Sequence, residues 1–235
     1  ASITGIYSEM MRNNSQFTSA QTTLFAGMSA DELYFFSPSF RDEFTKNEIT
    51  QVNHANLTTY FWQPAYKYIY AANLVIEQLN VSTKLTPGVK QMLMGEARFI
   101  RAFCFFYLVN FFGDVPITLS SDYRVNSILP REDQSKIYIQ IIEDLKSARD
   151  LLSESYPTSE RVRPNKWTAA ALLARVYLYI NDWPNAEIQS SNVISSSMYT
   201  LEPNLDNVFL STSQEAIWQL RPVNPSSNTW EGNSI

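Results

Sequence analysis

A chain of 235 residues with a formal net charge of −5, 45% hydrophobic and 17% charged residues can bury a full core and is too apolar for global disorder. The acidic balance, without any Lys/Arg run, argues against a nucleic-acid binder that tracks phosphates. A single cysteine, Cys104, leaves no partner for an internal disulfide, and the opening "ASITGIYSEMM" has no basic-then-apolar leader, so any export signal is expected to have been removed or to lie outside the chain.

Residues 1–11 read as a short helix. Residues 12–47 are rich in Ser, Thr, Asn and aromatics without a sustained 3.6-residue period, and are predicted to form a long ordered loop, the kind of segment that usually carries function. Helical spacing returns in "ANLTTYFWQPAYKYIYAANLVIEQLN", where Tyr66, Ile69, Tyr70, Asn73, Leu74, Ile76 and Leu79 recur and Pro64 marks a start or kink. The next helix is announced by Thr86 as N-cap and Pro87 at its first position, and is stopped by Gly113. Its second half, Ile100 to Phe112, is apolar on nearly every face, which predicts a helix enclosed by others. Glu96, Arg98 and Arg101 leave an uncharged stretch too short to cross a bilayer. The two arginines are expected to pair with carboxylates at the edge of the core.

Three more helices follow in "QSKIYIQIIEDLKSARDLL", "NKWTAAALLARVYLYIN" and "WPNAEIQSSNVIS". In the last two, Leu173, Ala174, Tyr177 and Ala186 match the small and large positions of a tetratricopeptide hairpin, although any close-packed helical hairpin can use that pattern. Trp62, Trp167, Trp183 and Trp218 are expected in the core, and Glu215 to Leu220 is predicted to be a short strand.

Candidate chemistry is sparse. Cys104 sits inside "FIRAFCFFYL" and reads as a buried apolar residue, because apolar burial raises a thiol pKa and disarms it as a nucleophile. His54 has no sequence partners for metal ligation or a catalytic triad. No local motif selects a carboxylate pair for glycoside hydrolysis among the 23 acidic residues.

The run "GEARFIRAFCFFYLVNFFGDVPIT" resembles the signature helix and following turn of the SusD/RagB family. The segments "YIYAANLVIEQL", "LPREDQSKIYIQIIEDLKSARDLL", "RVRPNKWTAAALLARVYLYINDWPNAE" and "VFLSTSQEAIWQLR" resemble later parts of that family in the same order. The resemblance implies a mostly α fold: a SusD-like α/α superhelix of tetratricopeptide-like hairpins with long loops and minor short strands, 1–235 forming a single domain. It implies a cell-surface receptor of the outer membrane, without catalytic role or cofactor. Such a receptor binds an oligosaccharide or a peptide and delivers it to a SusC-like TonB-dependent transporter. The family's lipid-bearing N-terminal cysteine is absent and the chain has about half the usual family length, so Ala1 is expected downstream of the anchor, in an N-terminal portion or a short member.

Within the loop, "SADELYFFSPSFRDEF" combines rings that can stack on sugar C–H faces with polar groups that can bond hydroxyls. The candidate ligand contacts are Tyr34, Phe36, Arg41, Asp31 and Glu32, a location that the family resemblance supports. The competing expectations are that Leu33, Phe35 and Phe40 pin the loop to the helices, and that Asp31 and Glu32 cap local backbone N–H groups. Stacked hairpins also suit a scaffold that binds a protein or peptide, so a sugar receptor and an interaction module both remain open at this level.

Overall fold

A computed structural model of the chain describes residues 2–12, 16–35, 39, 41–51, 54–224 and 229–230. Its α-helices are α1 (Ile3–Met10), α2 (Thr22–Ser29), α3 (Asp42–Thr45), α4 (His54–Leu57), α5 (Gln63–Val81), α6 (Pro87–Phe112), α7 (Tyr123–Asn126), α8 (Gln134–Leu151), α9 (Lys166–Tyr179) and α10 (Trp183–Ser195). Two π-helical segments, Phe17–Gln21 and Thr58–Trp62, interrupt this series. Among the described residues, the one β pairing is an isolated bridge between Val115 and Glu132. The chain is organised in two compact units, one of Ala1–Ile3 with Tyr68–Gln219 and the other of Thr4–Lys67 with Leu220–Ile235.

In the larger unit, α6 packs on α8, α8 on α9 and α9 on α10. Helix α6 begins where the sequence places it, with Thr86 as N-cap and Pro87 in the first turn. It ends at Gly113, whose φ of 68° lies in the left-handed region that a side chain disfavours. Gly95 lets α6 and α8 approach closely, since a Cβ there would lie 2.8 Å from Leu152 Cγ. Asp133 caps α8 through the Ser135 N–H at 2.8 Å, and Asn165 with Thr168 forms a capping box at the start of α9. Asp182 caps α10, while Asn181 takes φ 61° in the tight α9–α10 turn. The tetratricopeptide-like positions Leu173, Tyr177 and Ala186 are buried in that hairpin.

Arg98 and Arg101 have the structural role read from the sequence. Arg101 donates to the fully buried Asp144 from Nε at 2.8 Å and from Nη2 at 2.7 Å, and Arg98 adds a third bond at 3.1 Å. Arg101 Nη1 also donates to Asn73 Oδ1 at 2.8 Å, and Asn73 Nδ2 donates to the carbonyls of Thr118 and Ser120. This network ties α5, α6, α8 and the chain after Gly113 together. A second buried carboxylate, Glu96, is bonded by the guanidinium of Arg163.

Three expectations for this unit are corrected. Helix α6 is not enclosed on every face, because Asn110 and Phe111 are exposed at its C-terminal end. Trp183 is 56% exposed at the first position of α10, and Trp167 and Trp218 are half-buried, as is Trp62 of the smaller unit. No strand forms at Glu215 to Leu220, where side chains take the carbonyls of Ala216 and Ile217, Arg161 the first and the Tyr156 hydroxyl the second. Arg161 donates from Nη1 to the carbonyls of Gln214 at 2.9 Å and Ala216 at 2.6 Å, and from Nη2 to Met198 at 3.2 Å. Trp218 Nε1 donates to Val162 O, and its ring meets Phe99 edge-on at 5.1 Å.

The smaller unit overturns the expectation of a loop throughout 12–47. Phe17–Gln21, α2 and α3 are helical, and every residue of Phe17–Gln21 is buried. The physical reason lies in inward-facing hydroxyls: Thr18 donates to Met10 O at 2.6 Å, Ser19 to Gln16 O at 2.9 Å and Thr22 to Phe17 O at 2.7 Å. Polar residues therefore occupy interior positions and mask the apolar stripe by which a helix is read. Pro64 falls at the junction between the π segment Thr58–Trp62 and α5, a place where a missing N–H is tolerated.

Candidate functional site

The candidate loop leaves α2 through a turn built on Gly27. The carbonyl of Gly27 accepts the N–H groups of Glu32 at 2.8 Å and Leu33 at 3.1 Å, and Asp31 N–H donates to Met28 O at 3.3 Å. Asp31 takes the left-handed conformation, φ 60°, which short polar side chains tolerate better than most. A Cβ at Gly27 would lie 2.9 Å from Leu33 Cδ1, so the glycine makes room for Leu33 to fold back. Leu33 thus pins the loop as expected.

Beyond that pin, Tyr34 is 73% exposed and Phe35 is 39% exposed. The guanidinium of Arg41 lies 4.4 Å from the centroid of the Phe35 ring, a cation–π contact that fixes both side chains. Asp31 and Glu32 are exposed; their backbone N–H groups close the turn while their carboxylates accept no hydrogen bond among the described residues. Four of the five candidates, Asp31, Glu32, Tyr34 and Arg41, therefore stand on one short exposed segment and its return. Phe36, the fifth, lies outside the described residues, as does Phe40.

The return of the loop is braced by residues that the sequence reading passed over. Ser39 Oγ accepts the Arg41 N–H at 3.1 Å, and Asp42 Oδ2 accepts the Ser39 N–H at 3.4 Å. The Ser-x-x-Asp spacing of a capping box was the available signal. Ser29 Oγ donates to Phe44 O, and Asn47 Nδ2 donates to Ser29 O, each at 3.1 Å, which joins the end of α2 to α3. Below these bonds Phe25 packs on Phe44 at 4.2 Å, Tyr60 at 5.8 Å and Phe61 at 5.9 Å.

The fully buried carboxylates Glu96 and Asp144 are bonded to arginines, which commits them to ion pairs. Burial pushes the Cys104 thiol far above its ordinary range, so it stays protonated. No group of three His, Cys, Asp or Glu among the described residues is placed to hold a metal ion, and no helix among them is long and apolar enough to cross a membrane. The side chain of His54 lies outside the described residues.

A SusD-like family, described as starch-binding and associating with the outer membrane, matches residues 2–178. SusD-like protein P25 of Formosa agariphila is 29% identical over 163 residues, covering 68% of this chain and 31% of its own length. A SusD superfamily protein of Bacteroides vulgatus superposes with a TM-score of 0.83 at 23% identity, over 97% of this chain and 50% of that one. A laminarin-binding SusD-like protein superposes with a TM-score of 0.73 at 22% identity, over 88% of this chain and 46% of that one. The chain spans about a third of the length of the curated relatives it matches. With the family's segments in order along the sequence and a helical fold shared almost end to end, the chain belongs to the SusD-like family.

Proposed function

We propose that this chain is the N-terminal, glycan-binding portion of a surface receptor on the outer membrane. It binds an oligosaccharide without cleaving it and passes it to a SusC-like TonB-dependent transporter, held at the membrane by a lipid anchor upstream of Ala1. Family membership supports this reading, as does the fold shared with a laminarin-binding protein. The observation that carries the location is the exposed Tyr34 next to the Phe35–Arg41 stack. Tyr34 and Phe36 stack on the C–H faces of sugar rings, and the edge of the Arg41 guanidinium donates to hydroxyls while its face covers Phe35. Asp31 and Glu32 accept from further hydroxyls.

Calorimetric titration with laminarin oligosaccharides, other neutral glycans and peptides tests the proposal. Glycan binding is expected, with Tyr34→Ala and Phe36→Ala each weakening it by about tenfold, the worth of one stacking contact. Unaltered binding in both variants removes the loop from the site. Binding of peptides alone replaces the sugar reading by a peptide receptor, and release of shorter sugars during the titration overturns the non-catalytic assignment.

A further inference from the structure

A second surface, entirely within the larger unit, has the composition of a sugar site and owes nothing to the loop at 31–41. It lies where the C-terminal end of α6, the start of α8 and the end of α9 meet. Helix α6 contributes Tyr107, Asn110 and Phe111, α8 contributes Tyr138, and α9 contributes Arg175 and Tyr179. The i, i+3 and i, i+4 spacings place each helix's contribution on one face.

The aromatic part is continuous. Tyr107 meets Phe111 at 6.0 Å between ring centroids and Phe106 at 5.9 Å, and Phe106 meets Tyr179 at 5.1 Å. Phe106 is buried beneath, whereas Phe111 and Tyr179 are 40% and 54% exposed. The polar part is held in place by Asn110. Its Nδ2 donates to Phe106 O at 2.7 Å, and its Oδ1 accepts the Tyr138 hydroxyl at 3.2 Å.

Tyr179 acts electrostatically on both Tyr107 and Tyr138. Burial raises both Tyr107 and Tyr138 above the ordinary phenol range, and in each case Tyr179 adds to the rise. Arg175 opposes the rise at Tyr107, which puts its guanidinium within electrostatic range of that hydroxyl. Arg175 is exposed, and it donates no hydrogen bond and makes no ion pair among the described residues. A guanidinium without a carboxylate, on an exposed position one helical turn before Tyr179 on α9, is complementary to a sugar that brings its own carboxylate.

From this arrangement we infer that Tyr107, Asn110, Tyr138, Arg175 and Tyr179 form a binding site for an acidic oligosaccharide, one that contains uronic acid. Tyr179 and Phe111 supply the stacking faces, Arg175 takes the uronate carboxylate through two N–H groups, and the phenols bond the ring hydroxyls.

The test is titration of the chain with trigalacturonate, with the neutral galactose trisaccharide, and with acetate as the bare carboxylate. Trigalacturonate is expected to bind in preference to both. Arg175→Gln lowers its affinity by about tenfold or more, the worth of a charge-assisted contact, and removes the preference over the neutral sugar. Tyr179→Ala weakens binding several-fold while Tyr179→Phe largely preserves it, and circular dichroism checks that each variant folds. Tyr34→Ala in the other unit leaves trigalacturonate binding unchanged. Equal binding of the acidic and neutral sugars, acetate binding as tightly as trigalacturonate, or an Arg175→Gln variant with wild-type affinity overturns the inference. Loss of trigalacturonate binding in Tyr34→Ala with retention in Arg175→Gln also overturns it and leaves the proposal for the loop standing.

Discussion

Removing Asp144 should cost far more than the exchange of one small side chain for another. Its carboxylate is fully buried and accepts three bonds, at 2.7 and 2.8 Å from Arg101 and at 3.1 Å from Arg98. In Asp144→Ala, Arg98 can turn to water because about a third of its side chain is already exposed, but Arg101 is 5% exposed and cannot. A buried cation then keeps only Asn73 Oδ1 as acceptor, and breaking such a pair costs about 3–5 kcal/mol. For a domain of this size that lowers Tm by about 6–20 °C. Thermal melting followed by circular dichroism provides the measurement. The double variant Arg101→Met with Asp144→Leu separates the cost of the orphaned charge from the worth of the pair, since replacing both charges by apolar groups is often close to neutral. It should recover more than half of the loss. A single variant that melts within a degree of wild type, or a double variant that melts lower than the single, would refute the reasoning.

Phe106→Ala empties a buried ring site in the C-terminal third of α6 and is expected to lower stability by about 3–5 kcal/mol in chemical denaturation; an unchanged midpoint would place that side chain outside the core. Gly95→Ala should destabilise by about 1–3 kcal/mol, because its Cβ meets Leu152 and overpacking outweighs the gain in helix propensity; a more stable variant would mean that Leu152 can move aside. Glu77 offers a pH test: the Ser121 hydroxyl and N–H hold its carboxylate below the ordinary range, with a smaller contribution from Ser120. A carboxylate lowered in this way stabilises the fold above its unfolded pKa of about 4.3, and the effect fades as pH falls through the folded value. Glu77→Gln should therefore melt lower than wild type at pH 7, with the gap closing below about pH 4. A gap that persists at low pH would assign the loss to packing.

Where apolar residues face inward, the sequence was legible. Helices α5, α6, α8, α9 and α10 follow from spacing and caps, and Arg98 and Arg101 were readable as partners for carboxylates although Asp144 could not be singled out. Reading failed where side-chain chemistry replaced the usual pattern. The hydroxyls of Thr18, Ser19 and Thr22 bond carbonyls within the smaller unit, so buried helix looked like loop. Glu215 to Leu220 read as a short strand, but the carbonyls of Ala216 and Ile217 are taken by the side chains of Arg161 and Tyr156, and no ladder forms there. For the loop site, composition located the exposed rings, yet the turn on Gly27 and the placement of Arg41 over Phe35 depend on backbone conformation within residues 27–42, which hydrophobic periodicity does not report. The patch around Arg175 draws one or a few residues from each of three helices, and no local window of sequence contains it.

Arg161 grips the chain after Met198 chiefly through main-chain carbonyls, a group that every residue type carries. Changes of side chain at Ala216 leave that grip intact, so the burden of keeping this segment in place is shared by the Trp218 ring, which packs on Phe99, and by position 161. Lysine could not substitute there, since a compact ammonium lacks the planar fork that spans several acceptors at once. A position held only through its carbonyl, such as Ala216, is freer to drift in sequence than Trp218, whose ring and N–H both bind.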